Sequence, residues 1–129
     1  MKSYRELIVW QKSMLWVLSI YNETKSFPKE EVYSLTSQIR RSAVSVPSII
    51  AEGYGRNHSG DYVRFLQMAS GSLYEFQTQL EISFQLGYIT KEIIDMINNL
   101  SIEIEKMLSS LISKVLASKK LTNRKQVEG

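Results

Sequence analysis

Apolar side chains recur along this chain at intervals of three and four residues and almost nowhere at two. That period marks helices with one buried face. Four such stretches predict helices over about 5–24, 28–52, 60–86 and 91–117. The second is carried by Val32, Leu35, Ile39, Ala43, Val46 and Ile50. The third is carried by Tyr62, Phe65, Leu66, Ala69, Leu73, Phe76, Leu80 and Phe84, and the fourth by Ile93, Ile97, Leu100, Ile104, Met107, Leu111 and Val115. Helices of this length are roughly 30–40 Å long. The first and third connections are short, which forces chain neighbours to run antiparallel. The expected fold is therefore all-α, an antiparallel up-down-up-down four-helix bundle over 1–118. From Lys119 the apolar period is lost, and 119–129 is expected to be a basic disordered tail.

Punctuation between the stripes agrees with four elements. Ser3 and Glu6 have capping-box spacing. Pro28 suits the first turn of the second helix, where its missing N–H costs nothing. Pro47 falls inside that helix, but Ile50 stays in phase with Val46, so a kink is expected rather than an end. Gly53 and Gly55 are expected to end it through left-handed geometry. Gly87 should close the third helix, and Thr90 should cap the fourth.

The first helix is too apolar for a single buried face. Leu7, Trp10, Met14, Val17, Leu18 and Tyr21 share one side, which is assigned to the core. Val9, Trp16 and Ile20 fall nearly opposite. A lone bundle would leave that second stripe in water, and large exposed apolar patches mark interfaces. Gly71 sits mid-helix in the small-residue run Ala69-Ser70-Gly71-Ser72, where glycine costs about 1 kcal/mol against alanine. Close approach of another subunit would offset that cost. Val9, Trp16, Ile20 and Gly71 are therefore the expected oligomer interface.

Composition narrows the chemistry. The chain has 129 residues, enough for one domain with a substantial core. It has no cysteine, hence no disulfide framework, zinc-thiolate site or thiol nucleophile. Its one histidine, His58, lies in a loop, and no Glu-x-x-His pair exists for a di-metal bundle site. No metal or cofactor is expected, and no catalytic constellation forms. The glycines at Gly53 and Gly55 follow no strand and precede no Gly-Lys-Ser/Thr, so a phosphate loop is unsupported. The longest unbroken apolar run in the first helix, Met14 to Leu18, is far short of the roughly 20 residues a membrane span needs. No export signal is convincing, so a cytoplasmic setting is expected.

Net charge is +3, and it is concentrated at the end. From Lys114 on, Lys114, Lys119, Lys120, Arg124 and Lys125 face only Glu128. Arg40 and Arg41 stand on the polar side of the second helix, with Arg56 and Arg64 beyond its end. With Lys119, Lys120, Arg124 and Lys125 they form the candidate surface for RNA or DNA phosphates. Charges on helices are more often simply solvated or paired, which is the plainer account. A rival from another class is a protein-interaction scaffold. A third, weaker rival is an enzyme at a subunit boundary using Arg64, Glu75 or His58.

Several ordered motifs resemble one family. They are Tyr4-Arg5-Glu6-Leu7-Ile8-Val9-Trp10-Gln11-Lys12, Phe27-Pro28-Lys29-Glu30-Glu31-Val32-Tyr33-Ser34-Leu35, Gln38-Ile39-Arg40-Arg41-Ser42-Ala43-Val44-Ser45-Val46-Pro47 with Ile50-Ala51-Glu52-Gly53, and Ala69-Ser70-Gly71-Ser72-Leu73-Tyr74-Glu75. Over about residues 4–116 the chain is similar to the bacterial four-helix bundle proteins named after open reading frames in 23S ribosomal RNA intervening sequences. It departs at Ile49, where the family pattern has Asn. The resemblance implies a left-handed antiparallel bundle assembled as a homopentameric ring. It also implies kinship with the accessory protein of diversity-generating retroelements, a basic pentameric barrel that binds nucleic acid and a reverse transcriptase. The expectation is a non-enzymatic oligomeric bundle binding structured RNA or DNA through phosphate contacts, with the protein-binding ring as the alternative.

Overall fold

In the computed structural model, which describes residues 2–128 and side chains as far as residue 118, every regular element is helical. The four helices are α1 (Ile8–Glu23), α2 (Leu35–Tyr54), α3 (Ser59–Gln85) and α4 (Lys91–Glu128). Short 3-10 turns occupy Tyr4–Glu6, Thr24–Ser26 and Lys29–Glu31. α2 packs on α3, α3 on α4, and α1 closes on both α2 and α4.

The starts of α1 and α2 differ from expectation. Ser3 and Glu6 do not form a capping box on α1. The Ser3 hydroxyl accepts from the Arg5 amide at 3.1 Å, and Glu6 accepts from the Lys2 amide at 3.3 Å. They close the turn Tyr4–Glu6, and extended Leu7 separates that turn from α1. Pro28 begins the 3-10 turn Lys29–Glu31 rather than α2. Ser34, at φ −124° and ψ −107°, breaks the path before Leu35. Val32 therefore falls out of the helical phase and is 50% exposed, while Leu35, Ile39, Ala43, Val46 and Ile50 are buried as expected.

α2 continues through Pro47 and incorporates Gly53. Neither Gly53 nor Gly55 is left-handed; Gly55 ends the helix at φ −75°. Gly53 is required for a different reason. A Cβ there would stand 2.5 Å from Phe65 Cβ, so the bare backbone sets how closely α2 and α3 approach. Gly87, at φ +81°, does close the next connection in left-handed geometry. There the Tyr88 amide reaches back to the Ser83 carbonyl at 2.9 Å. Thr90 caps α4 as expected, its hydroxyl accepting from the Ile93 amide at 3.3 Å. α4 runs on to Glu128, where the loss of apolar period predicts a tail from Lys119.

The core corrects part of the assignment of faces on α1: Leu7 and Val17 are buried as expected, but Met14, Leu18 and Tyr21 are exposed. Val9, Ser13, Trp16, Val17 and Ile20 point inward, with Trp16 and Ile20 each 1% exposed. Trp16 meets Phe76 of α3 edge-on at 4.5 Å between ring centres. Val9, Trp16 and Ile20 thus belong to this protomer's own core and are not an intersubunit seam. Ser13 explains the inversion. It interrupts the apolar pattern in sequence, yet it is fully buried and satisfies its hydroxyl on the Val9 carbonyl at 2.6 Å. Ser42, Ser83 and Ser101 are buried in the same way, each donating to a backbone carbonyl of its own helix.

Candidate functional site

The four arginines assigned to phosphate contact do not gather into one surface. Arg40 ties helix ends together: Nε donates to Thr24 Oγ1 at 2.8 Å, and Nη2 donates to the Tyr21 carbonyl at 3.3 Å. Its guanidinium carbon lies 4.7 Å from the centre of the Tyr21 ring. Arg40 therefore secures the C-terminal end of α1 with donors and stacking, not with a carboxylate partner. Arg41 approaches Glu75 of α3 at 3.7 Å. Arg56 pairs with Glu52 at 3.3 Å, and Arg64 with Asp61 at 3.5 Å. Arg56 and Arg64 also bracket the Phe65 ring at 4.7 and 5.7 Å, so they do come together, as a lid on the α2–α3 turn. That turn lies roughly 24 Å along the helix from Arg40. The side chains of Lys119, Lys120, Arg124 and Lys125 lie outside the described residues.

The outward side of α1 remains apolar, with a membership the sequence pattern concealed. Ile8 is 55% exposed, Leu15 71% and Leu18 63%, with Met14 and Tyr21 beside them partly in water. Along the α1–α4 seam two shallow hollows follow one another. One, of about 320 Å³, brings Leu15 to Leu100 and Ile104; the other, of about 420 Å³, brings Ile8 to Met107 and Leu111. Lys12 and Glu103 form an ion pair across this seam. Gly71 faces open space, with no atom within 4 Å of where a Cβ would stand. Among the described residues, no close contact accounts for that glycine.

A third hollow runs along α2 from Thr36 to Ile49, with Tyr21 of α1 and Val32 and Tyr33 also in its wall, and has a volume of about 570 Å³. Tyr33, Thr36, Arg40 and Arg41 form part of its wall. Thr36 was not among the expected site residues, although its spacing of four from Arg40 puts the two on one helix face. The residues of the enzyme alternative are scattered. His58 precedes α3 and is exposed, and its side chain makes no capping bond. Glu75 pairs with Arg41, and Arg64 with Asp61. Among the described residues, no group of three or more His, Cys, Asp or Glu side chains could hold a metal ion. No described helix is long and apolar enough to cross a membrane.

The sequence model of the 23S rRNA-intervening sequence proteins matches residues 5–110. The fold is similar to the crystal structure of a protein of unknown function from the S23 ribosomal protein family of Bacteroides thetaiotaomicron. That likeness has a TM-score of 0.76 at 31% identity, over 81% of this chain and 98% of the other. Comparison with curated proteins finds no match.

Proposed function

This chain belongs to the 23S rRNA-intervening sequence protein family, and from that premise we propose that it is a non-enzymatic cytoplasmic module whose antiparallel up-down-up-down bundle works by self-assembly. Assembly presents a scaffold to a protein partner. The observation that favours this is the exposed apolar face of α1, above all Leu15 at 71% and Leu18 at 63%. Side chains of this size, close together on one helix and continued by Leu100 of α4, form a surface that soluble monomers rarely leave in water. Gly71, with open space before it, offers a second place for a neighbouring helix to approach. The stoichiometry we propose is the ring of five that the family resemblance implies.

Phosphate contact by the four arginines as one surface is the less favoured function, because Arg56 and Arg64 each pair with a carboxylate at the α2–α3 turn, roughly 24 Å along the helix from Arg40. Sedimentation velocity discriminates. The wild type should sediment as an oligomer, and Leu15→Glu with Leu18→Glu should reduce it to the 14.9 kDa protomer with helicity retained. A wild-type monomer at high concentration, or an oligomer indifferent to both charges, would refute self-assembly through this face.

A further inference from the structure

A binding site for a small phosphorylated molecule lies, we propose, where the α1–α2 connection meets the groove along α2. Two hollows adjoin there, of about 570 and 330 Å³, and share Val32, Thr36 and Arg40 as walls. Arg41 and Tyr33 line the larger, and Lys25 and Lys29 the smaller. Four cations thus border the two hollows, and no carboxylate is among their walls. Volumes of this order suit a ligand the size of a nucleotide.

Thr36 supplies an independent observation. It is 5% exposed, it lines both hollows, and its hydroxyl has no hydrogen-bond partner. A buried hydroxyl without a partner is costly; it lies beneath the surface of the hollows, and rotation about χ1 onto a ligand acceptor would remove that cost. Backbone geometry points the same way. Thr36 sits in the first turn of α2, where amide groups have no partner within the helix. The Ser34 side chain makes no capping bond to them. An anion is favoured at such a helix start by the amides and by the helix dipole.

The cations are available for a phosphate. Arg40 uses Nε and Nη2 on Thr24 and Tyr21, leaving the other donors of its fork without a protein partner. The Arg41–Glu75 pair is long at 3.7 Å and has side chains 72% and 48% exposed, so a phosphate displaces it at little cost. Tyr33, 95% exposed, offers a bare aromatic face to a base or similar ring. Phosphate against Arg40, Arg41 and Thr36, with a ring against Tyr33, describes a nucleotide better than a bare anion.

Titration calorimetry on the full chain tests this with ADP, pyrophosphate and adenosine as probes. ADP should bind, pyrophosphate should bind more weakly, and adenosine should not bind. Arg41→Gln and Lys29→Gln should each weaken ADP about tenfold, the worth of one charge-assisted hydrogen bond. Both positions are on the surface, so the variants keep the fold, and circular dichroism verifies it. Tyr33→Ala should bring ADP down to the level of pyrophosphate. Absence of ADP binding at millimolar concentration in the folded wild type overturns the site, as does binding that Arg41→Gln with Lys29→Gln leaves unchanged. A single-stranded RNA oligomer that binds far more tightly than ADP, and loses affinity in the same variants, would overturn the small-molecule assignment in favour of a polynucleotide.

Discussion

Gly53 and Tyr62 show how much single side chains decide where α2 meets α3. A Cβ on Gly53 would stand 2.5 Å from Phe65 Cβ and 3.4 Å from Tyr62 Cδ1. Neither neighbour yields easily, because Phe65 is itself held between Arg56 and Arg64. Gly53→Ala should therefore destabilise the fold by about 1–3 kcal/mol, the usual cost of overpacking, read as a lowered urea midpoint. Alanine's better helix propensity makes the opposite forecast, so an unchanged or raised midpoint would show that the close approach is not limiting. Tyr62 buries its hydroxyl without a partner, and burial first, then the nearby Tyr54, pushes its pKa above the ordinary 10.0. A raised tyrosine pKa means the unfolded chain loses its proton first. Stability is then whole below pH 10.0 and falls as pH climbs through the raised value. Comparing urea midpoints at about pH 9 and about pH 11 should show a loss that Tyr62→Phe reduces. A loss of equal size in both proteins would assign it elsewhere.

At the scale of elements, the sequence revealed α3 almost completely, because one uninterrupted stripe from Phe65 to Leu80 meets the core. Gly87 and Thr90 were legible too, since a left-handed turn and a hydroxyl cap have few substitutes. α1 was misread because it is apolar on two sides, and period alone does not say which side faces in. Ser13, a polar residue that should mark the outer side, is instead fully buried with its hydroxyl on the Val9 carbonyl, in the same stripe as Trp16. The start of α2 was misplaced because Pro28 suits a 3-10 turn as well as an α-helix, and only the break at Ser34 separates them. The inward and outward sides of α1 should respond differently to truncation. Trp16→Ala should cost about 3–5 kcal/mol in urea unfolding at a concentration where the chain is monomeric, while Leu15→Ala should cost well under 1 kcal/mol there. Similar losses for both would contradict the orientation of α1.

For the whole molecule, what the sequence concealed was pairing in space. Arg41 and Glu75 are far apart in the chain and adjacent in the fold, as are Lys12 and Glu103. A list of basic residues therefore overstated the free positive charge. It also omitted Thr36, whose interest lies in a hydroxyl that burial deprives of any partner. The two tryptophans end up in contrasting surroundings. Trp16 is enclosed beside Phe76, while Trp10 lies half-buried against Tyr4, with the Arg5 guanidinium 5.7 Å from its ring. The protein thereby contains its own pair of optical reporters. Emission from the shielded indole should be blue-shifted in the fold and move to the red as the fold is lost, while quenching by iodide should single out the other.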